Sequence, residues 1–221
     1  MICFLGTSHA PQTLAAAARA KGLAVTDNLH EADLIFVSED TPTDAEGKRD
    51  LTPIRNLVLA AADGTDAPIV LTSQVPPGFC RALRISRLVH MAETLRIKDA
   101  EARALHPEQF ILGVPDRYEY TLPIVLLRYC SAHEGARVQV MRYEEAEFAK
   151  IAINMFLASQ VDTTNRLAGA AAKVGARWAP IAQVLATDKR IGPHAYLTPG
   201  RWQDSSHLLR DHVTLEAILA R

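Results

Sequence analysis

Apolar runs that alternate with helical stretches, followed by one long uninterrupted helical stretch, predict an α/β protein. We expect a Rossmann-like parallel sheet first, because strands that alternate with helices usually pair in parallel. The long stretch runs from Glu144 to about Val174, contains no proline and repeats its apolar residues at helical spacing. It predicts a long helix and an all-α segment. We therefore predict two domains, residues 1–140 and residues 141–221.

The predicted strands are short runs rich in apolar and β-branched side chains. Gly6 ends the first run, and the loop that begins at Thr41 follows the most apolar one. Buried parallel strands carry continuous apolar runs of this kind, because helices cover both faces of the sheet. The predicted strands are residues 1–5, 23–26, 33–37, 68–72, 110–114 and 138–140.

The predicted helices begin near prolines or follow turns, and they carry apolar residues at helical spacing. A helix of thirty residues would span about 45 Å. A helix that long in a small protein needs a partner along its length, so we expect a homodimer. The predicted helices are residues 11–21, 51–62, a stretch after Gly78, 144–174, 180–186 and 215–220.

Composition excludes several classes of protein. The chain has 221 residues and a formal net charge of -1, which gives no reason to expect a nucleic acid or an acidic membrane as partner. No apolar run is long enough to cross a bilayer, and the N-terminus lacks the pattern of a signal peptide. Cys3, Cys80 and Cys130 lie far apart and predict reduced thiols in a cytoplasmic protein. The histidine spacing predicts no metal site.

Several motifs follow one another in an order that resembles the UDP-glucose/GDP-mannose dehydrogenase family. Each motif alone is weak, but their collinear order over about residues 30 to 215 is specific. The motifs are DLIFV (33–37), TPTD (41–44), SQVPPG (73–78), AETLR (92–96), the stretch from His106 to Gly113, E-x-x-K-x-x-x-N (147–154), DKRIG (188–192), PG (199–200) and SHLLRD (206–211).

The resemblance implies a catalytic role for several residues. Members of the family oxidise C6 of a nucleotide-bound sugar twice with NAD, through an enzyme thiohemiacetal. By position, Lys150 and Asn154 would stabilise the oxyanion, and Glu93 would hold or activate the hydrolytic water. Asp211 would lie beside that water, and Arg190 would contact the substrate across the dimer interface.

The same residues also fit ordinary structural roles. Lys150 and Asn154 lie one helical turn apart, so a cation and an amide share a helix face, as a developing negative charge requires. Lys150 equally suits an ion pair with Glu147 on a solvated face. Asn154, Glu93 and Asp211 equally suit surface positions. Arg190 equally suits a structural role as an anchor of its loop.

The nucleophile of the family is replaced. Its members carry Ser-Cys-Phe-Pro-Lys-Asp where this chain carries Ser206 to Asp211, so His207 stands in the place of the thiol. A neutral imidazole cannot form the thiohemiacetal on which the second oxidation depends. His207 remains a candidate base for a single hydride step, or a structural cap at the start of a helix.

The coenzyme site is also altered. The family's first turn is G-x-G-Y-V-G, whose glycines let the backbone approach a pyrophosphate. Here the turn runs from Gly6 to Pro11 and keeps only the first glycine. The second strand of the family and its acidic ribose ligand are missing, although Asp27 lies at a suitable distance. We expect NAD binding to be weakened or lost. The candidate coenzyme contacts are Gly6, Thr41, Ser73 and Gln74.

Three functions remain open. The first is a nucleotide-sugar dehydrogenase homologue, impaired or limited to one two-electron step. The second is a non-catalytic dimeric scaffold or nucleotide-sugar binder that has lost NAD binding. The third is an isomerase or lyase with Glu93 or His207 as base. The family continues into another α/β domain, so we expect half of the substrate cleft to be absent from residues 1–221 unless a second polypeptide supplies it.

Overall fold

The computed structural model describes residues 1–95 and 97–220, with only the backbone at Ile97. Arg96, the last residue of the AETLR motif, lies outside the described residues, as does the final residue of the predicted second domain. The chain forms two compact units. Unit 1 comprises residues 1–42 and 50–150, and unit 2 comprises residues 43–49 and 151–221.

Unit 1 contains a sheet whose strands follow one another in space in the same order as in the sequence. Five of the predicted strands are confirmed within two residues at each end. The sheet also contains one strand that the sequence did not predict, Leu88–Ala92. The strands are β1 (Ile2–Leu5), β2 (Leu34–Val37), β3 (Ile69–Leu71), β4 (Leu88–Ala92), β5 (Gln109–Val114) and β6 (Arg137–Arg142).

The helices agree with the predicted ones, with three differences. Two short helices were not predicted, Ala100–Leu105 and Ile124–Ser131. The last helix begins at Ser206 rather than near residue 215, so the whole SHLLRD motif is helical. The helices are α1 (His9–Ala20), α2 (Thr52–Gly64), α3 (Phe79–Leu83), α4 (Ala100–Leu105), α5 (Ile124–Ser131), α6 (Tyr143–Lys173), α7 (Trp178–Thr187) and α8 (Ser206–Leu219).

The sheet is parallel except at one pair of strands. β4 runs antiparallel to β5, whereas all other neighbouring strands are parallel. The predicted Rossmann-like parallel sheet is confirmed, with this one antiparallel pair in it. The segment after Ala92 forms only short helices, and α4 packs against α1. The chain thus returns from the same end of the sheet instead of crossing its face, which fixes the antiparallel direction.

The segment 23–26, predicted as a strand, contributes only one isolated bridge. Val25 bridges Ile2, and the amide of Ile2 donates to the carbonyl of Ala24 at 2.8 Å. Thr26 donates its own amide to the carbonyl of Ile2 at 3.0 Å. The apolar run is therefore held beside β1, but it is too short to continue the ladder after Gly22 turns the chain at φ +77°.

The core of unit 1 lies on both faces of the sheet. Ile35 and Val37 pack on one face with α2, whereas Leu34 and Phe36 pack on the other face with α5. All of β2 is buried. This alternation explains why the strands read as continuous apolar runs in the sequence. The buried faces hold the carboxyl ends of β1 to β4 in a fixed row.

The long helix is confirmed: α6 is continuous over 31 residues. Its first part belongs to unit 1 and the remainder to unit 2, which also contains α7 and α8. In the part of the chain that the structure describes, no helix has the length and apolar character needed to cross a membrane.

Candidate functional site

The carboxyl ends of β1 to β4 bring together the candidate coenzyme residues. These four strands are parallel, so the segments that follow them lie at one edge of the sheet. Ligands of open α/β sheets bind outside this edge. Gly6 follows β1, and Thr41 lies in the loop after β2. Ser73 and Gln74 follow β3, and Glu93 follows β4.

Two of these loops are joined by hydrogen bonds. The Oγ1 of Thr41 donates to the carbonyl of Gln74 at 2.7 Å, and Thr41 is buried. The Oγ of Ser73 accepts the backbone N–H of Glu39 at 2.8 Å. The side chains of Thr41 and Ser73 therefore tie the loop after β2 to the loop after β3.

The turn between β1 and α1 is closed by the loop after β2. Gly6 has a φ of +138°, and a Cβ there would lie 2.2 Å from the carbonyl oxygen of Ser38, so only glycine fits. The backbone N–H of Thr7 donates to the Oε2 of Glu39 at 2.6 Å, and its hydroxyl donates to the same oxygen at 3.0 Å. Ser8 donates its hydroxyl to the carbonyl of Ser38 at 3.3 Å.

This turn differs from the turn that binds the pyrophosphate of a dinucleotide in other α/β proteins. A dinucleotide needs backbone N–H groups and open space at the start of the first helix. Here the N–H of Thr7 already donates to the Glu39 carboxylate, and Pro11 in the first turn of α1 has no N–H. A second anion would also meet the negative charge of Glu39.

Glu93 lies half-buried just after β4. Its carboxylate accepts the backbone N–H of Leu95. Glu93 is therefore not an ordinary surface carboxylate, because its side chain holds its own loop by this hydrogen bond. Its predicted contact with a hydrolytic water remains a prediction.

Glu147 has a structural role that the sequence did not predict. It is buried, and its two oxygens accept the backbone N–H groups of Gly78 and Cys80, at 2.6 Å and 2.8 Å. Burial raises the pKa of Glu147, and the two N–H bonds oppose the rise. The carboxylate therefore fixes the VPPG turn at the start of α3, and it does not lie on a solvated helix face. Lys150, one turn later, is half-buried.

Unit 2 brings two predicted residues, Asn154 and Asp211, into direct contact. The Nδ2 of Asn154 donates to the Oδ2 of Asp211 at 2.6 Å. The other carboxylate oxygen pairs with the Nη2 of Arg49. Asn154 is 6% exposed and Asp211 0% exposed, so their alternative interpretation as surface residues is wrong. Arg49 was not predicted, because no spacing in the sequence links it to α8.

Arg49 is held on several sides. Its Nη1 donates to the carbonyl of Arg210 at 3.1 Å and contacts the hydroxyl of Thr214. Burial lowers the pKa of Arg49, the nearby Asp211 charge raises it, and the nearby Arg210 charge lowers it again. Asp211 is therefore the carboxylate that pairs with Arg49, in a buried cluster where the charge of Arg210 opposes that of Arg49.

Arg190 and His207 lie at exposed positions of unit 2. The guanidinium of Arg190 forms two hydrogen bonds to Asp188, at 3.0 Å and 2.7 Å, and its side chain is 89% exposed. This local pair lowers the pKa of Asp188. His207 is the second residue of α8 and is exposed. The proposed substrate contact of Arg190 therefore requires a ligand or a partner that reaches the surface of unit 2.

The cysteines do not replace the thiol that is missing at position 207. Cys3, Cys80 and Cys130 are all buried. Burial raises the pKa of Cys80 well above its usual value, and it raises the pKa of Cys130 to about 12. Thiols with such pKa values stay protonated near neutral pH and are poor nucleophiles.

Comparison of the amino-acid sequence with known proteins finds similar proteins. The family model described as UDP-glucose/GDP-mannose dehydrogenase family, central domain, matches residues 144–220. The UDP-glucose 6-dehydrogenase of Rickettsia bellii is 26% identical over 204 residues, which cover 87% of this chain and 46% of that protein. The chain thus spans under half the length of this curated relative.

Two solved structures share the fold. A UDP-glucose dehydrogenase from Pyrobaculum islandicum superposes with a TM-score of 0.75 at 22% identity, over 98% of this chain and 64% of that one. A GDP-mannose dehydrogenase from Pseudomonas aeruginosa superposes with a TM-score of 0.64 at 21% identity, over 88% of this chain and 49% of that one. At these identities the likeness concerns the fold.

Proposed function

We propose, on the premise that the chain belongs to the UDP-glucose/GDP-mannose dehydrogenase family, that it binds a nucleotide sugar and is impaired in the double oxidation. The observation that carries this proposal is the bond between Asn154 and Asp211. An amide that stabilises an oxyanion must direct its N–H at the ligand. Here one of the two N–H groups of the Asn154 amide is donated to a buried carboxylate, so that N–H is not available to a ligand.

The Asp211 carboxylate is also unsuited to act on a water. Its two oxygens are engaged by Asn154 and Arg49, and the residue has no exposed surface. A general base must reach the proton that it removes, directly or through one water. We therefore assign Asp211 to holding the buried cluster of unit 2 together, and not to proton transfer.

Replacement of the thiol supports the same conclusion. The second oxidation of the family needs a covalent sulfur intermediate, and His207 cannot supply one. What remains suited to a nucleotide sugar is the half-buried cation of Lys150, which can pair with a phosphate or a sugar hydroxyl. Binding without complete oxidation is the function that these residues support best.

Lys150→Ala tests this assignment. Loss of one charge-assisted hydrogen bond costs about 1.5–3 kcal/mol, so we expect UDP-glucose or GDP-mannose to bind roughly 10-fold to 150-fold more weakly. Isothermal titration calorimetry with each nucleotide sugar measures the change. Lys173→Ala, in the last turn of the same helix, is the matched control and should bind like the wild type. Equal affinity of the Lys150 variant and the wild type would remove this residue from the site.

A second candidate activity is proton abstraction from a nucleotide sugar by His207, as in an isomerase or lyase. Its support is the exposure of this imidazole at the start of α8. Product analysis of protein incubated with each nucleotide sugar decides the matter. Unchanged sugar after long incubation would leave binding as the function.

We also propose a homodimer in which α6 joins the two copies. Phe156 and Leu167 are exposed apolar residues of α6 that lie eleven residues apart and therefore on one helix face, and Phe156 has 74% of its surface exposed. A row of large apolar side chains on an exposed helix face usually marks an interface. The second copy is the partner that closes such a face without a further protein.

Phe156→Glu should dissociate this dimer, because a charge would be buried without a counter-charge in the apolar face. Light scattering after size-exclusion chromatography should give the dimer mass for the wild type and the monomer mass for the variant. Gln203→Glu adds the same charge at an exposed position outside α6 and should stay dimeric. A wild type of monomer mass at high protein concentration would contradict the proposed dimer.

A further inference from the structure

The turn between β1 and α1 is an anion position that the chain already fills with its own side chain. The N–H of Thr7 lies between β1 and α1, at the carboxyl edge of the parallel strands. In α/β proteins this place favours a negatively charged group, because N–H groups and the helix dipole point at it. The group found there is the Oε2 of Glu39, 2.6 Å from the N–H of Thr7.

Both oxygens of the Glu39 carboxylate are held. Oε2 accepts the N–H and the hydroxyl of Thr7, at 2.6 Å and 3.0 Å, and Oε1 accepts the N–H of Asp40 at 3.0 Å. The backbone of Glu39 is held as well, since its N–H donates to the Oγ of Ser73 at 2.8 Å. The carboxylate is therefore placed by two loops of unit 1.

We propose that the Glu39 carboxylate occupies the anion position of the β1–α1 turn and thereby excludes the pyrophosphate of a dinucleotide from this chain. The inference concerns the coenzyme and goes beyond nucleotide-sugar binding. Glu39 would thus weaken the binding of NAD further, in addition to the loss of glycines and the missing N–H of Pro11.

The size of the effect follows from competition and repulsion. A phosphate at this turn must displace Glu39 from the N–H of Thr7 and then remain near its charge. Two unit charges about 4 Å apart repel strongly enough to weaken binding by roughly 5-fold in water and by several hundred-fold near a protein surface. Thr7 is exposed and Glu39 half-buried, so the expected weakening lies between these limits.

Glu39→Ala, supported by Glu39→Gln, tests the proposal with inorganic pyrophosphate as the probe. Calorimetry should show pyrophosphate binding to the Glu39→Ala variant at least about 10-fold more tightly than to the wild type, because the N–H of Thr7 becomes available without a neighbouring charge. Glu39→Gln keeps the size of the side chain and removes its charge. It should also bind more tightly than the wild type. Circular dichroism first establishes that both variants fold.

Glu46→Gln is the matched control, because it removes the same charge from an exposed glutamate in unit 2. It should bind pyrophosphate as the wild type does. Equal binding by the wild type and both Glu39 variants would overturn the proposal, and so would tight binding of NADH to the wild type. Titration of the same variants with UDP-glucose separates this outcome from the proposed function, since Glu39 variants should bind the nucleotide sugar unchanged.

Discussion

Asp211→Asn should lower the free energy of unfolding by about 3–5 kcal/mol, the usual cost of removing one partner of a buried ion pair. The side chain of Asp211 is completely buried, and that of Arg49 is 5% exposed. The substitution leaves the Arg49 charge in the interior without its carboxylate. Arg210 is also buried, and its charge already acts against that of Arg49, so the loss of the carboxylate adds to this repulsion. Urea denaturation monitored by circular dichroism measures the loss.

Two controls separate the charge effect from a general disturbance. Asp188→Asn breaks an Arg–Asp pair in which Arg190 is 89% exposed, so it should change stability by less than about 1 kcal/mol. The double substitution Arg49→Met with Asp211→Leu removes both charges and should be less destabilising than Asp211→Asn alone. An Asp211→Asn variant as stable as the wild type would show that this pair does not organise unit 2.

Acidification should destabilise unit 1 through His90. This histidine is buried in β4, its Nδ1 lies 3.0 Å from the carbonyl of Leu71, and burial lowers its pKa from 6.5 to about 4. Between pH 6.5 and pH 4, His90 therefore binds a proton in the unfolded chain but stays neutral in the folded chain. The stability contribution is complete above pH 6.5 and is lost progressively as the pH falls towards 4. The pKa difference of about 2.5 corresponds to about 3 kcal/mol.

His90→Gln removes this titration while its amide can still donate to the carbonyl of Leu71. The difference in unfolding free energy between the wild type and the variant should therefore change by about 3 kcal/mol between pH 7 and pH 4. Taking the difference also cancels Glu147, whose raised pKa acts in the opposite direction. His194→Gln, an exposed control, should follow the wild-type curve. Parallel curves for wild type and His90→Gln would contradict a buried neutral histidine.

Local pattern predicted the fold where each segment determines its own structure. The continuous apolar run of β2 and the proline-free stretch of α6 needed no tertiary information. β4 was not predicted, because His90 interrupts its apolar pattern and its burial depends on both neighbouring strands. The antiparallel direction of β5 against β4 was not predicted either, for a related reason. The length of the segment between β4 and β5 allows either a crossover or a return, and the packing of α4 on α1 decides between them.

The candidate site was predictable only as far as the motif order reached. That order located Asn154 and Asp211, but not the fact that one bonds to the other. Arg49 lies far from α8 in the sequence, so its pairing with Asp211 has no local signal. The role of Glu39 was likewise not predictable, because a carboxylate just after a strand is common in sequences. Only its distance from Thr7 indicates what it does.

The most direct test of the central claim is calorimetry of the wild type with UDP-glucose or GDP-mannose and with NAD, followed by the absorbance of NADH in the combined mixture. We predict saturable heat with one of the nucleotide sugars, no heat with NAD and no NADH. Accumulation of two NADH for each sugar, with both ligands bound, would contradict the account, because it would show a complete double oxidation by a chain with His207 in place of the thiol and Glu39 in the coenzyme turn.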